Sequence, residues 1–318
     1  MTLRNSIFAV SGAASFLDAR RDMAGLFACD ADGNPIAGAL DAPDVLVSGV
    51  ASGMKLTVAP FQAVLARYGA LLISNDGDYT VSLSAAPSAN SRIDAVYVKQ
   101  NEKDSPMSDA SDGPVISVVQ GATAATPTAP TIPSGALLLA YVTIPAGVSN
   151  TTASGVVIQQ KFPKAAVKGG VPAVRTVNDL NALNMRDYST VKVLADNVEY
   201  VRKDNAWLAS TYSTSADFAN GKLYIRCNRH TGMARIVGCK IPTANAWAYV
   251  ARTNAIPTQF CPTVEVAFPV CTENNTSLVP RLLMVSEQGE VRIQNRGGAN
   301  LDTTNNIQCT AVWPVMSL

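Results

Sequence analysis

Apolar and polar residues alternate with a period of two along much of the chain, a pattern that predicts short, half-buried β-strands rather than helices. The fullest instance lies at residues 256–295. Pro257 and Pro262 bracket its first loop, which leaves that backbone stiff, extended and short of amide donors. Residues 263–270 then alternate, with Val264, Val266 and Phe268 on one face and Glu265 and Ala267 on the other. An apolar strand at residues 282–285 follows. Glu287-Gln288-Gly289-Glu290 then turns the chain, and Val291 and Ile293 resume the alternation.

The same pattern extends upstream and downstream. Strands are expected at residues 26–29, 45–50, 54–58 and 64–73, and Asn75-Asp76-Gly77-Asp78 has the composition of a hairpin turn into residues 79–83. Residues 91–100, 115–120 and 136–144 are further strands. Pro127, Pro130 and Pro133 recur at regular spacing ahead of the last, which predicts a polyproline-like strap laid across a sheet. Residues 161–174 are rich in Lys, Gly and Pro and read as a linker with little secondary structure. Thr176 caps a short helix, with Asp179 at the capping-box position and Leu180 and Leu183 on one face. A small β unit at residues 190–207 and strands at 222–226, 234–239, 246–252 and 307–315 complete the pattern. The expected fold class is mainly β. It comprises an N-terminal β-sandwich-like domain over residues 1–162, a linker and small connector module over 163–208, and a C-terminal antiparallel β-sandwich over 209–318.

Composition narrows what such a protein does. With 25 basic and 24 acidic residues the 318-residue chain carries a net charge of +1, so nothing favours nucleic acid or an anionic membrane face. Only 15% of residues are charged while 47% are hydrophobic, which suits sheets that bury both faces or pack in an oligomer. No apolar run reaches the roughly eighteen residues of a membrane-spanning helix; residues 136–144 are strand-length and closed by Pro145. Arg4 ahead of Ile7-Phe8-Ala9-Val10 has the start of a signal peptide, but Ser11 and Gly12 interrupt it, and a non-secreted product is expected.

Candidate chemistry is sparse. Asp30-Ala31-Asp32-Gly33-Asn34 has a superficial likeness to a calcium loop, yet its glycine comes too early and no glutamate closes it, so it reads as a turn. Arg92 and Asp94 share a strand face among apolar neighbours. With no second acid or base near in sequence, they read as a structural pair closing a sheet corner. The six cysteines include no Cys-x-x-Cys pair, and the single His230 cannot complete a zinc site of ordinary spacing, so no metal or cofactor is expected. The cysteines read as small buried hydrophobes, with a Cys227–Cys239 disulfide as the alternative. Gly-x-Ser-x-Gly is absent, and no catalytic residue is assigned. Trp247 and Tyr249 lie on one face of the strand at 246–252, with Arg252 beyond them, and offer an aromatic platform for a sugar. Their alternation with small residues equally suits a sandwich core, which is the simpler reading.

Three groups of residues resemble a known family. Arg92, Asp94, Pro127, Pro130, Pro133, Leu139, Ala140 and Gly147 resemble, in order, the N-terminal attachment domain of bacteriophage tail and baseplate proteins. Ile256-Pro257-Thr258-Gln259-Phe260-Cys261-Pro262, followed by Gly289-Glu290-Val291-Arg292-Ile293, is similar to the C-terminal head of phage tail fibres and receptor-binding proteins. Residues 176–208 resemble the connector of tail proteins from phages infecting actinobacteria, which implies that Trp207 packs the connector against the head. The resemblance implies a virion protein of the tail tip or baseplate, synthesised in the host cytoplasm and docked on other tail proteins through its N-terminal domain. It also implies a homo-oligomer, a trimer, whose heads attach to a host-surface saccharide. The alternative is a tail-associated polysaccharide-degrading enzyme.

Overall fold

The computed structural model describes residues 15–240, 249–272, 281–295 and 307–315. The protein is mainly β, built from several antiparallel sheets. It divides into two compact units, one running to Asn197 and the other starting at Val198. That boundary falls inside the small β module expected at 190–207, between its first and second strands.

The first unit opens on a helix that the alternation did not predict, α1 (Phe16–Ala24). Ser15 caps it: its hydroxyl accepts from the Asp18 N–H at 3.3 Å, and its own N–H donates to the Asp18 carboxylate at 3.0 Å. Ala24 and Phe27 then pack on Val64 and Ala70. Ten strands follow: β1 (Gly38–Asp41), β2 (Val47–Gly49), β3 (Lys55–Val58), β4 (Phe61–Ala66), β5 (Ala70–Asn75), β6 (Tyr79–Ser82), β7 (Ser91–Asn101), β8 (Gly113–Val119), β9 (Leu137–Pro145) and β10 (Val157–Gln160). They form three sheets, β1-β4-β5, β2-β3-β6 and β10-β9-β7-β8. One buried cluster joins all three, including Val58, Leu65, Val81, Val96 and Leu139.

Three expectations change here. Residues 64–73 are a hairpin and not one strand, because Tyr68 (φ 55°) and Gly69 (φ 121°) turn the chain between β4 and β5. Asn75-Asp76-Gly77-Asp78 does not close a hairpin: β5 pairs with β4 and β6 pairs with β3, so these residues carry the chain from one sheet to another. The segment at 161–174 is not a loose linker. Phe162 is fully buried in the unit's core, and the Arg175 guanidinium lies 4.1 Å over its ring. Backbone bridges join Val167 to Phe27, and Lys164 to both Ala39 and Ala173. Gly38 admits the segment, since a Cβ there would meet Pro163 O and Ala165 N at 2.7 Å. The strap at 121–133 forms no strand and makes one bridge, Ser91 to Ala124. Beyond β11 (Ala173–Val174) comes α2 (Val177–Leu180), where the Thr176 N–H donates to Asp179 at 2.8 Å, and β12 (Thr190–Val193) pairs parallel with β11.

The second unit begins with the hairpin β13 (Val198–Lys203) and β14 (Ala206–Ala209). A sandwich follows, made of β15 (Tyr212–Phe218), β16 (Gly221–Cys227), β17 (Thr231–Cys239), β18 (Tyr249–Arg252), β19 (Val266–Pro269), β20 (Cys271–Thr272), β21 (Arg281–Val285), β22 (Val291–Asn295) and β23 (Ile307–Pro314). Among the described residues one sheet has the order β15-β16-β17-β23-β20 and the other β18-β22-β21-β19. Their inner faces form one core, with Leu223, Ile225, Ile236 and Trp313 from the first and Leu283, Val285, Val291 and Ile293 from the second.

The loop at 256–262 plugs that core. A 3-10 turn, Thr258–Phe260, drops the Phe260 ring to full burial, stacked 6.3 Å from Tyr212, and Trp313 donates to Phe260 O at 2.8 Å. Each large apolar side chain so buried contributes about 1.5–3 kcal/mol. Gly232, paired with Trp313 across the sheet, leaves room for the indole; a Cβ would lie 2.1 Å from its Cε2. The expected alternation holds for Val266 and Phe268, which pack against the core, but Val264 lies ahead of β19 and is 63% exposed. The turn falls at Ser286–Gly289, with Gly289 at φ 78° donating to Ser286 O.

Candidate functional site

The outward face of the sheet containing β15, β16, β17 and β23 carries the most distinctive surface chemistry in the second unit. Strand parity decides it. Leu223, Ile225 and Cys227 turn into the core, which leaves Lys222, Tyr224 and Arg226 outside. On β17, Ala234 and Ile236 are buried while Arg235 is exposed and Met233 half-buried. Antiparallel pairing then sets Tyr224 opposite Arg235, Arg226 opposite Met233, and Lys222 opposite Val237. On the far side Val312 stands opposite Met233 and Thr310 opposite Arg235. Directly opposed side chains have Cβ atoms roughly 4.5–5.5 Å apart, so these residues form one continuous patch.

A bulge completes it. Ile236 and Cys239 are three apart yet both buried, because the β17–β23 register shifts between them and Gly238, at φ 68°, absorbs the extra residue. Val237 is thereby kept outward. Tyr224, Arg226, Met233, Arg235 and Val237 line a shallow hollow of about 410 Å³.

Electrostatics make the patch cationic. Lys222 donates to Asp217 at 2.5 Å; that hydrogen bond holds the Asp217 carboxyl below, and the Lys222 ammonium above, their ordinary pKa values. Arg226 and Arg235 have no such partner among the described residues, and the other facing positions, Ser213, Ser215, Thr310 and Val312, are uncharged. Two guanidinium forks flank one exposed phenol ring. Such a set can stack on an apolar ring face and donate bidentate hydrogen bonds to hydroxyl or carboxylate oxygens.

The residues singled out from sequence fall elsewhere. Trp247 lies outside the described residues. Tyr249 is 61% exposed on β18, on the other sheet of the sandwich, and pairs with Gln294. It does not fill the core. Arg252, three positions on, takes the opposite side of the strand and donates to Asp217 O at 3.2 Å, so the two do not form one site. Trp207 faces Arg202 across the β13–β14 hairpin, with the guanidinium 5.5 Å from its ring.

Arg92 and Asp94 are 2% and 1% exposed. Arg92 Nε donates to both Asp94 oxygens at 3.0 and 3.1 Å, while its terminal nitrogens donate to Ala85 O and Ser84 O at 2.6 and 2.7 Å. Asp94 also accepts from the Gly121 N–H at 3.1 Å, which ties the start of the strap to the sheet. Asp30 accepts from the N–H groups of Asp32 and Asn34, at 3.0 and 2.8 Å, and organises a turn. Cys227 and Cys239 are free thiols, not a disulfide; burial pushes Cys227 up to about 11. His230 is exposed in a turn where Asn228 accepts from its N–H. Among the described residues no three His, Cys, Asp or Glu side chains gather as a metal site requires.

Sequence reasoning located strands at 222–226 and 234–239 without singling out Tyr224, Arg226 or Arg235. The signal was present in the alternation Lys-Leu-Tyr-Ile-Arg, whose apolar half must face inward and whose other half must then face out. No known protein family matches the chain, and no curated protein matches it.

Proposed function

We propose that the chain is a structural and adhesive component of a bacteriophage tail tip or baseplate, whose second unit attaches to a saccharide on the host surface. The observation that carries the reading is the outward patch on β16 and β17: an exposed Tyr224 flanked by Arg226 and Arg235, neither holding an intramolecular ion pair among the described residues. An open, rigid sheet face with one ring and two forks suits a pyranose bearing hydroxyl and carboxylate groups, bound weakly and reversibly.

Several copies in one particle would add such weak contacts through effective concentration. A trimer is the assembly this reading takes. The sequence resemblances at both ends support it, and the low charge of the chain suits a subunit interface of whatever number. The first unit, with its buried ion pairs and straps, serves as the docking body.

The experiment is a microarray of bacterial surface polysaccharides exposed to the purified full chain, with oligomer mass measured by light scattering. The reading expects binding to acidic saccharides and a trimer mass. Failure to bind any saccharide on the array would reject the adhesive role.

A further inference from the structure

A second polar feature lies wholly in the first unit and is independent of the saccharide-binding reading. The loop after β7 and the β4–β5 turn border a cavity of about 310 Å³, lined in part by Arg67, Tyr68, Lys99, Asp109, Ser134 and Gly135. Two of its cations are nearly out of solvent: Arg67 is 8% exposed and Lys99 9%. Asp109 stands between them. Its Oδ1 accepts from Lys99 at 2.6 Å, and its Oδ2 accepts from Arg67 Nη1 at 2.5 Å and from the Glu102 N–H at 2.9 Å. Glu102 in turn pairs with Arg20 through both oxygens. Among the described residues the ion pairs of Arg20, Arg67 and Lys99 are made with two acids, Glu102 and Asp109.

The donors are in excess. A guanidinium carries five N–H groups and an ammonium three. Arg67 uses Nη1 alone, toward Asp109 and Gln100 O, and Lys99 makes one bond. Arg67 Nε and Nη2 therefore have no acceptor among the described residues. Gly135 fixes the arginine stem: its φ of 74° brings the loop so close that a Cβ would lie 3.0 Å from Arg67 Cδ and 3.3 Å from Nε. Those free donors belong to a nearly buried guanidinium and face the solvent of the cavity, where an oxyanion can replace water with charge-assisted hydrogen bonds.

We propose that this cavity binds a small oxyanion, the phosphate or carboxylate group of a low-mass ligand. Arg67 and Lys99 supply the charged donors and Ser134 a neutral one. Asp109, its oxygens already engaged, holds the two cations apart. The volume lies at the lower end of small-molecule pockets and admits one oxyanion on a short carbon body, not a polymer.

The test is an NMR titration of the full chain, following arginine Nε–H resonances, with inorganic phosphate in one arm and acetate in the other at constant ionic strength. Arg67 is expected to shift saturably with one of them, half-saturating at or below about 1 mM, while Arg226 and Arg235 do not saturate. Lys99→Gln is expected to raise the half-saturation about tenfold and Ser134→Ala severalfold. Ser134→Ala leaves the ion pairs intact, so it reports even where Lys99→Gln fails to fold. No saturable Arg67 shift with either anion, or an unchanged half-saturation in Ser134→Ala, would overturn the assignment.

Discussion

Arg92 in the first unit and Arg226 and Arg235 in the second put the same side chain to opposite ends. In the first, Arg92 is buried with both Asp94 oxygens on its Nε and carbonyls on its two tips, and Arg67 is held by Asp109 and Gln100. In the second, Arg226 and Arg235 stand exposed beside Tyr224 with no carboxylate to meet them among the described residues. The difference lies in the chain around each arginine. Arg92 and Arg67 sit where loops return over a sheet and bring carbonyls and carboxylates with them, whereas Arg226 and Arg235 project outward from paired strands. A fork satisfied on every nitrogen, as in Arg92, fixes a fold; nitrogens left open among the described residues, as Nε and Nη2 of Arg67 and the forks of Arg226 and Arg235, are available to a ligand.

Substitutions should grade in that order. Asp94→Ala strands a buried guanidinium and is expected to cost about 3–5 kcal/mol, read as a lower urea midpoint for the first unit with the second unit's transition unmoved. Asp109→Ala removes the carboxylate that Arg67 and Lys99 share beside a cavity that admits water, so its cost is smaller, about 1–3 kcal/mol. It is read as faster amide exchange across residues 102–112.

Acid should reproduce the second effect. Hydrogen bonds from Arg67 and then Lys99 hold the Asp109 carboxyl far below its ordinary range. A depressed folded pKa means the stabilisation is whole above the unfolded pKa and is lost as pH falls. Protection of the Glu102 N–H, which donates to Asp109, is therefore expected to persist at neutral pH and decline only well below about pH 4. Arg226→Gln with Arg235→Gln breaks no ion pair among the described residues and should move stability by no more than about 0.5 kcal/mol.

Much of the second unit was legible because its signals are local. Alternation alone sends Leu223 and Ile225 inward, and the Pro-bracketed loop and Gly289 turn sit where the residues at 256–262 and 286–289 require. Ser15 and Asp18 form a capping box that alternation-based reading passed over. What could not be read depends on distant partners. Phe162 is buried and Lys164 bridges Ala39 through backbone contacts that composition does not encode, so a Gly- and Pro-rich segment looked like a linker. The Arg67–Asp109 pair joins residues 42 apart, and whether a given arginine is matched or free depends on such closures. Tyr249 was legible as a strand residue, but its place on the outer face of the second sheet depends on pairing with Gln294.

The central claim is that the β16–β17 face, and not the β18 edge, is the attachment surface. The most direct measurement is binding of the full chain to an immobilised acidic polysaccharide, comparing Tyr224→Ala with Arg235→Gln against Tyr249→Ala, each with an unchanged circular dichroism spectrum. The account predicts a loss of about tenfold or more in the first variant and little change in the second. Binding retained in the first and lost in the second would contradict it.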